Sequence, residues 1–196
     1  MRIISGTARG TKLYTLDGIE ITRPTLDRVK ESMFNIINSK IEDSVVLDLF
    51  AGCGAIGLEF ASRGAKNVIL CDNSKLATNI IRKNIEKTHL EKKVILYEID
   101  YLKCIERIQE ELDIIYLDPP YKTNYIINAI NKLIDLNKIS KNTSIIVETD
   151  DGTRIEEEIK KITQIEVYDK RKYGRAYILF LKLIDDIQHD DLKGAN

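Results

Sequence analysis

No run of apolar residues in this chain approaches the roughly 20 needed to span a bilayer, and its opening, MRIISGTARG, carries no apolar signal region. A soluble, cytosolic protein with no membrane partner is expected. Cysteine is scarce. Cys53, Cys71 and Cys104 are odd in number and show no CxxC spacing, which argues against a zinc site and against a disulfide framework; no metal is expected, and the thiols read as reduced, buried small hydrophobes. The two histidines, His89 and His189, fall outside every motif, which disfavours a histidine-based nucleophilic mechanism. Positive charge is not in excess either. A net charge of -1 and a pI near 6.2 count against a nucleic-acid partner, which usually leaves a basic footprint. That average hides a polarity, since residues 1–12 carry Arg2, Arg9 and Lys12 with no acid, while the end carries Asp185, Asp186, Asp190 and Asp191 with Lys193 after them. A local basic patch survives such cancellation, although solvated termini would look the same.

What is present suits one catalytic-sized domain with a small appendage: 196 residues, 43% hydrophobic, are enough for one core and short for two full domains. No repeat or low-complexity linker interrupts the chain. Before residue 44, RIISG and TKLYTL read as two short strands joined through Gly6 and Gly10, a hairpin pattern. A helix is expected next, N-capped by Thr25 just after Pro24, with Leu26, Val29, Met33, Ile36 and Ile37 at helical spacing up to Lys40. From residue 44 the runs VVLDLF, NVILCD, KVILYEID, LDIIYLD and TSIIVET alternate with helix-length stretches, which argues for a parallel sheet covered on both faces. QIEVYDKRKYG and RAYILFLKLI then follow with a Gly-containing turn and no helix between them, an antiparallel hairpin closing a doubly wound α/β sheet. Ligands of such sheets sit at the carboxyl ends of the strands.

The unusual residues fall there. Asp48 ends the first run, and FAGCGAIG follows before a helix expected to run to about Gly64. Gly52, Gly54 and Gly57 satisfy GxGxxG, with Asp72 about 20 residues on, as a dinucleotide fingerprint requires. Nicotinamide cofactors and S-adenosylmethionine both need such glycines and an acid for the ribose hydroxyls. Asp48 separates them: a carboxylate is unwelcome beside a pyrophosphate and useful beside the ammonium and sulfonium charges of S-adenosylmethionine. Asp100, ending the third run, reads either as a partner for the adenine amino group or as a helix cap.

The fourth run ends in Asp118-Pro119-Pro120-Tyr121. Two consecutive prolines deny backbone donors and restrict the turn, which leaves carbonyls free to accept. An amino group conjugated to a ring is a poor nucleophile because its lone pair is delocalised. The Asp118 carboxylate and an adjacent prolyl carbonyl, accepting its two N–H groups, would anchor the nitrogen and aim its lone pair at a methyl group. Fixed dipoles there would also stabilise positive charge developing on the nitrogen. Tyr121 would stack the base.

FAGCG with DPPY resembles the class I amino-methyltransferases. With MRIISGTARGTKL, RPTLDRVKESMFNII, VLDLFAGCGAIGLEFASRGA and KYGRAYILFLK in this order, the chain is similar over about residues 1–183 to the bacterial D-type small-subunit rRNA methyltransferases, which act on guanine N2 of 16S rRNA. The resemblance implies a Rossmann-like, mostly parallel seven-stranded sheet and a C-terminal antiparallel hairpin. It divides the chain into an N-terminal hairpin and helix extension (1–43) contacting RNA, an S-adenosylmethionine-dependent domain (44–184) and an acidic tail (185–196). It implies S-adenosylmethionine as cofactor and 16S rRNA, in the small ribosomal subunit or an assembly intermediate, as partner. Asp48, Phe50, Gly52 and Gly54 would hold the methionine moiety, Asp72 the ribose and Asp100 the adenine region, while Asp118, Pro119, Pro120 and Tyr121 receive the base. Arg9, Arg23 and Arg28 are the expected RNA contacts, Arg23 and Arg28 either gripping phosphate or closing over the cofactor. Cys53 departs from the small polar residue commoner at its position. Lys170, Arg171, Lys172 and Arg175, around Tyr173, would extend a basic face or form a charged turn with no partner.

Three rivals stand beside this reading. The same chemistry on DNA or on a protein glutamine amide would use the same tetrapeptide, although a DNA enzyme usually adds a recognition domain for which this chain has little room. A nicotinamide dehydrogenase leaves DPPY unexplained. A non-catalytic RNA-binding factor has no need of Asp118, Tyr121 and the glycines together.

Overall fold

The computed structural model describes residues 1–15 and 24–184. The five Val/Ile-rich runs form β1 (Val45–Asp48), β2 (Asn67–Asp72), β3 (Val94–Glu98), β4 (Ile114–Leu117) and β5 (Ser144–Thr149), and the closing pair forms β6 (Ile165–Tyr173) and β7 (Ala176–Leu183). The helices are α1 (Pro24–Ile37), α2 (Ala55–Ser62), α3 (Lys75–Thr88), α4 (Tyr101–Arg107), α5 (Tyr125–Asp135) and α6 (Gly152–Ile159). All seven strands join one sheet in the order β3-β2-β1-β4-β5-β7-β6. β1 to β5 pair in parallel, and β7 lies antiparallel between β5 and β6. This is the Rossmann-like architecture expected. The strand order reverses between β1 and β4, and that switch point opens a crevice at their carboxyl ends.

Side-chain alternation sorts the strands into two cores. Val46, Val68, Leu70, Ile114, Ile146, Ile178 and Phe180 face one layer, packed with α1, α2 and α3 through Phe34, Met33, Leu58, Phe60 and Ile81. Leu47, Ile69, Ile115, Leu117, Ile145, Val147 and Leu179 face the other, packed with α4, α5 and α6 through Ile105, Ile130, Leu133 and Ile155. The same period of two carries past the strand ends. Asp48, Tyr116, Asp118 and Glu148 therefore all fall on the α1/α2 side.

The N-terminal segment joins that layer. Ile3, Ala8 and Leu13 are buried in the same core as α1 and the sheet. The expected hairpin is present in a short form: Arg2 and Lys12 make an antiparallel bridge, Ile3 N–H donates to Thr11 O (3.0 Å), Gly10 N–H to Ile3 O (2.9 Å) and Leu13 N–H to Met1 O (3.0 Å), while the residues of its turn bond to α2. Thr7 N–H donates to Ser62 O (2.8 Å), Ala8 N–H to Ser62 Oγ (2.9 Å), and Ile4 and Ser5 N–H to the Glu59 carboxylate (2.8 and 2.9 Å). Gly6, at φ +82°, makes this contact possible, since a Cβ there would lie 1.8 Å from Ser62 O.

Two helix ends differ from expectation. α1 begins at Pro24, so Thr25 lies within its first turn and is not the N-cap; proline suits a first turn because its missing N–H has no intrahelical partner there. α2 stops at Ser62, not Gly64, and the chain turns through Gly64 at φ +114°. No helix among the described residues is long and apolar enough to cross a membrane. Arg23, His189 and the acidic tail lie outside the described residues.

Candidate active site

Two cavities open at the switch point and share a wall. The first, about 480 Å³, is lined by Asp72, Asp100, Tyr101, Tyr125, Ile99 and Cys71, and the second, about 340 Å³, by Asp48, Tyr116, Glu148, Lys30, Met33 and Ile178. Phe50, Gly52, Asp118 and Tyr121 line both. The loop after β1 and the tetrapeptide after β4 thus form the partition, as expected where neighbouring strands end side by side.

The loop is built by backbone demands. Gly52 (φ +58°) donates its N–H to Asp72 Oδ2 at 2.9 Å, and the space where its Cβ would stand is open. Asp72 Oδ1 accepts Ser74 N–H at 2.8 Å, so the acid is held from both sides with lone pairs to spare. Gly54 lines neither cavity; it precedes α2 with φ +80° and packs towards Ile81 and Leu58. Gly57 lets α2 approach β2: a Cβ would sit 2.1 Å from Leu70 Cδ2, and its N–H donates to Asp48 Oδ2 of β1 at 3.0 Å.

Asp48 is buried, and its Oδ1 has no hydrogen-bond partner among the described residues. Burial pushes its carboxyl up from the ordinary 3.8 to about 7, the Gly57 N–H opposing and Asp72 reinforcing the shift. Asp118 is raised well above the usual carboxylate range by burial and then by Glu148 and Asp48. Burial raises Glu148 as well, while the Tyr116 hydroxyl, donating to its Oε2 at 2.5 Å, pulls the other way. Three carboxyl groups thus line one cavity, each pushed towards the neutral form first by burial, and Asp118 further by the charges of the other two. A cationic ligand would relieve all three.

Asp100 N-caps α4, its Oδ1 accepting from Leu102 and Lys103 N–H, and it also lines the first cavity. The two readings of this residue are compatible. Around it, Phe50, Tyr101 and Tyr125 form an aromatic cluster with centroids 5.0–6.1 Å apart. Of the tetrapeptide, Pro119 is buried, Pro120 exposed, and Tyr121 is 54% exposed at the mouth. The Pro120 carbonyl already accepts the Thr123 hydroxyl at 2.9 Å, which leaves the Pro119 carbonyl as the better acceptor for a ligand.

The structure does not bring the described arginines to the cavities. Arg9 is exposed in the turn packed on the carboxyl end of α2, opposite the cofactor loop, and Arg28 is exposed on α1. In the closing hairpin Lys170 pairs with Glu156 (2.8 Å) and Arg171 with Asp169 (2.9 Å), Lys172 lies over the Tyr177 ring, and Arg175 is exposed in the turn. Tyr173 bonds Ser32 of α1 at 2.6 Å. Cys71 and Cys104 are buried and Cys53 half-buried, all as free thiols.

Sequence patterning left out Glu148, Tyr116, Lys30, Tyr101 and Tyr125. Glu148 was the most accessible of these: TSIIVET ends in an acid one residue before its close, the same signal as Asp48, Asp72 and Asp118.

The family model described as Conserved hypothetical protein 95 matches residues 1–182. The chain belongs to that family. Among its curated relatives, the ribosomal RNA small subunit methyltransferase D of Haemophilus influenzae is 39% identical over 154 residues, covering 76% of this chain and 79% of the relative. The putative rRNA methyltransferase YlbH of Bacillus subtilis is 30% identical over 185 residues, covering 93% and 98%. Among solved structures, the putative methyltransferase yhhF from Escherichia coli superposes with a TM-score of 0.78 at 27% identity, covering 93% of this chain and 97% of that one. The family match, together with relatives of these names, places the chain among class I methyltransferases of the D type.

Proposed function

We propose that the chain methylates the exocyclic N2 amino group of a guanine in 16S rRNA of the small ribosomal subunit, with S-adenosylmethionine as donor. One observation carries this reading: Asp118 and Tyr121 stand in the partition between an aromatic, acid-lined cavity and a second cavity holding an unpartnered buried carboxylate. The names of the relatives supply the RNA class.

The residues fit the cofactor. Asp72 receives the ribose hydroxyls, and Asp100 with the Ile99, Tyr101 and Tyr125 surface receives the adenine. Asp48, whose Oδ1 has no partner among the described residues, compensates the positive charge, and Gly52, with open space where its Cβ would stand, leaves room for the ligand. Phe50 lies between the two ends. When bound, S-adenosylmethionine supplies an electrophilic methyl whose S–C bond breaks as the N–C bond forms, leaving a neutral thioether.

The protein's part is orientation and charge. Asp118 and the Pro119 carbonyl accept the two amino N–H groups and turn the nitrogen lone pair towards the methyl. Tyr121 stacks on the base, a contact worth about 1–3 kcal/mol. Positive charge developing on the nitrogen is stabilised by Asp118 in a site shielded from water. Asp118 then takes the proton that N2 gives up, a role suited to a carboxyl raised by burial and by its acidic neighbours.

The test is transfer of labelled methyl from S-adenosylmethionine to small ribosomal subunits, naked rRNA, DNA and a protein extract in parallel, with nucleoside analysis. Recovery of N2-methylguanosine from the rRNA is the expected result. Label in DNA or protein would overturn the acceptor, and no label anywhere would overturn the activity.

A further inference from the structure

The second cavity holds a carboxylate that methyl transfer as described above does not use. Glu148 lies on β5, on the same face of the sheet as Asp118, and both line this cavity together with Tyr121. The pairing Leu117 with Val147 puts Asp118 and Glu148 one step further along adjacent parallel strands, side by side at the strand ends.

Glu148 is held in one orientation. The Tyr116 hydroxyl donates to its Oε2, and β7 flanks it on the other side through the pairing with Ile178. Oε1 has no hydrogen-bond partner among the described residues. Lys30 lines the cavity, but its ammonium group is taken by Glu59 at 2.8 Å and by the Arg2 carbonyl at 2.6 Å. The cavity therefore presents two adjacent acceptor groups, Asp118 and Glu148, with Met1, whose α-ammonium group acts on the Cys53 thiol, elsewhere in its wall.

The edge of a base that matches two neighbouring acceptors carries two neighbouring donors. Guanine has that edge: its N2 amino group and N1–H lie side by side. Adenine and cytosine each place their amino group next to a ring nitrogen that accepts, which a carboxylate repels. We infer that Glu148 reads the acceptor base as guanine, its Oε1 accepting the N1–H while Asp118 accepts one N2–H. Tyr116 is the positioning residue that keeps Oε1 turned to the base. The inference rests on the proposed guanine N2 chemistry and adds the group that selects guanine.

The experiment uses the full chain and small ribosomal subunits in which the methylated guanine has been located by nucleoside and fragment analysis. Subunits are rebuilt with 2-aminopurine at that one position. 2-Aminopurine keeps the N2 amino group but has an unprotonated N1 that accepts. The unmodified chain should prefer guanine to 2-aminopurine by roughly 10- to 100-fold in kcat/KM, the range of one base-edge contact. Glu148→Gln should shrink that ratio to near one or invert it, because Tyr116 retains the amide oxygen and turns the amide N–H groups to N1. Tyr116→Phe, which keeps the carboxylate and frees its rotation, should lower the ratio by less. Bound S-adenosylmethionine, measured by calorimetry, reports whether either variant is folded. An unchanged ratio in a Glu148→Gln chain that binds cofactor overturns the inference and leaves guanine N2 methylation standing. Failure to find any labelled guanine in the first step overturns the proposed function itself.

Discussion

Asn84 grips the backbone of Tyr14 from both sides, its Oδ1 accepting the Tyr14 N–H at 2.8 Å and its Nδ2 donating to the Tyr14 carbonyl at 3.0 Å. The same Nδ2 donates to the carbonyl of Cys53 at 2.9 Å. One buried amide on α3 thus ties the end of the N-terminal segment to the cofactor loop. Asn84→Asp keeps the shape, loses both donations and sets a carboxylate against two carbonyl oxygens. It should destabilise the fold by roughly 2–3 kcal/mol at neutral pH, more than Asn84→Ala, and weaken cofactor binding. Urea denaturation and a cofactor titration of both variants check this; equal stability of the Asp variant and the parent would contradict it.

Glu59 anchors the other end of that segment. Fully buried, it accepts from Ile4 and Ser5 N–H, Lys30 Nζ and Arg63 Nε, all within 2.9 Å. Glu59→Ala leaves Lys30 buried without a counter-charge, and the expected cost is about 3–5 kcal/mol. The double variant Lys30→Met/Glu59→Ala should recover part of the loss, because an apolar side chain tolerates that position. Denaturant midpoints of the single and double variants decide it.

Asp48 makes stability and cofactor affinity depend on pH in opposite senses. Its folded-state pKa, about 7, lies above the ordinary 3.8, so the folded chain holds the proton more tightly than the unfolded one. The associated stability is fully present below about pH 3.8 and is lost as pH rises through 7, an effect of about 4 kcal/mol. Asp118 and Glu148, raised by the same burial, act in the same direction. A positively charged cofactor favours the ionised carboxylate, so its binding should tighten between pH 5 and 7. Asp48→Asn should flatten much of both profiles, read by thermal unfolding and calorimetry across that range; a variant with the parent's slope in both would refute the assignment.

Asp118 is expected to separate turnover from cofactor binding. Asp118→Ala removes the acceptor for the amino group and should lower kcat by at least about 100-fold, while cofactor affinity stays within about 3-fold. Single-turnover kinetics beside equilibrium binding provides the comparison. Equal loss of both would mean that Asp118 serves the cofactor.

Much of the site was legible because strand ends are read by simple rules. Asp48, Asp72, Asp100 and Asp118 each close a Val/Ile-rich run, and a doubly wound sheet delivers strand ends to one crevice. The glycine loop was legible as a place where backbone approaches a ligand; the structure sets Gly52 in the wall of both cavities, Gly54 in the turn before α2 and Gly57 in the packing of α2. Tyr116 and Lys30 were not legible. Tyr116 reads as one more apolar strand position until its neighbour on β5 is known, and Lys30 reads as a surface lysine until Glu59 is found beneath it. The hairpin at the N-terminus was legible, but its docking was not, since Glu59 and Ser62 of α2 take the backbone donors of its turn.

The sequence by itself determined the order of the elements, the parallel sheet with its antiparallel close, the glycine loop and the tetrapeptide, because these follow from local periodicity and backbone restriction. Only the tertiary structure decided that three carboxyl groups from β1, β4 and β5 share one confined space, that Tyr116 orients Glu148, and that the N-terminal segment walls the second cavity. Burial and mutual repulsion exist only between residues brought together from distant positions, and no pattern along a chain carries the distance between them.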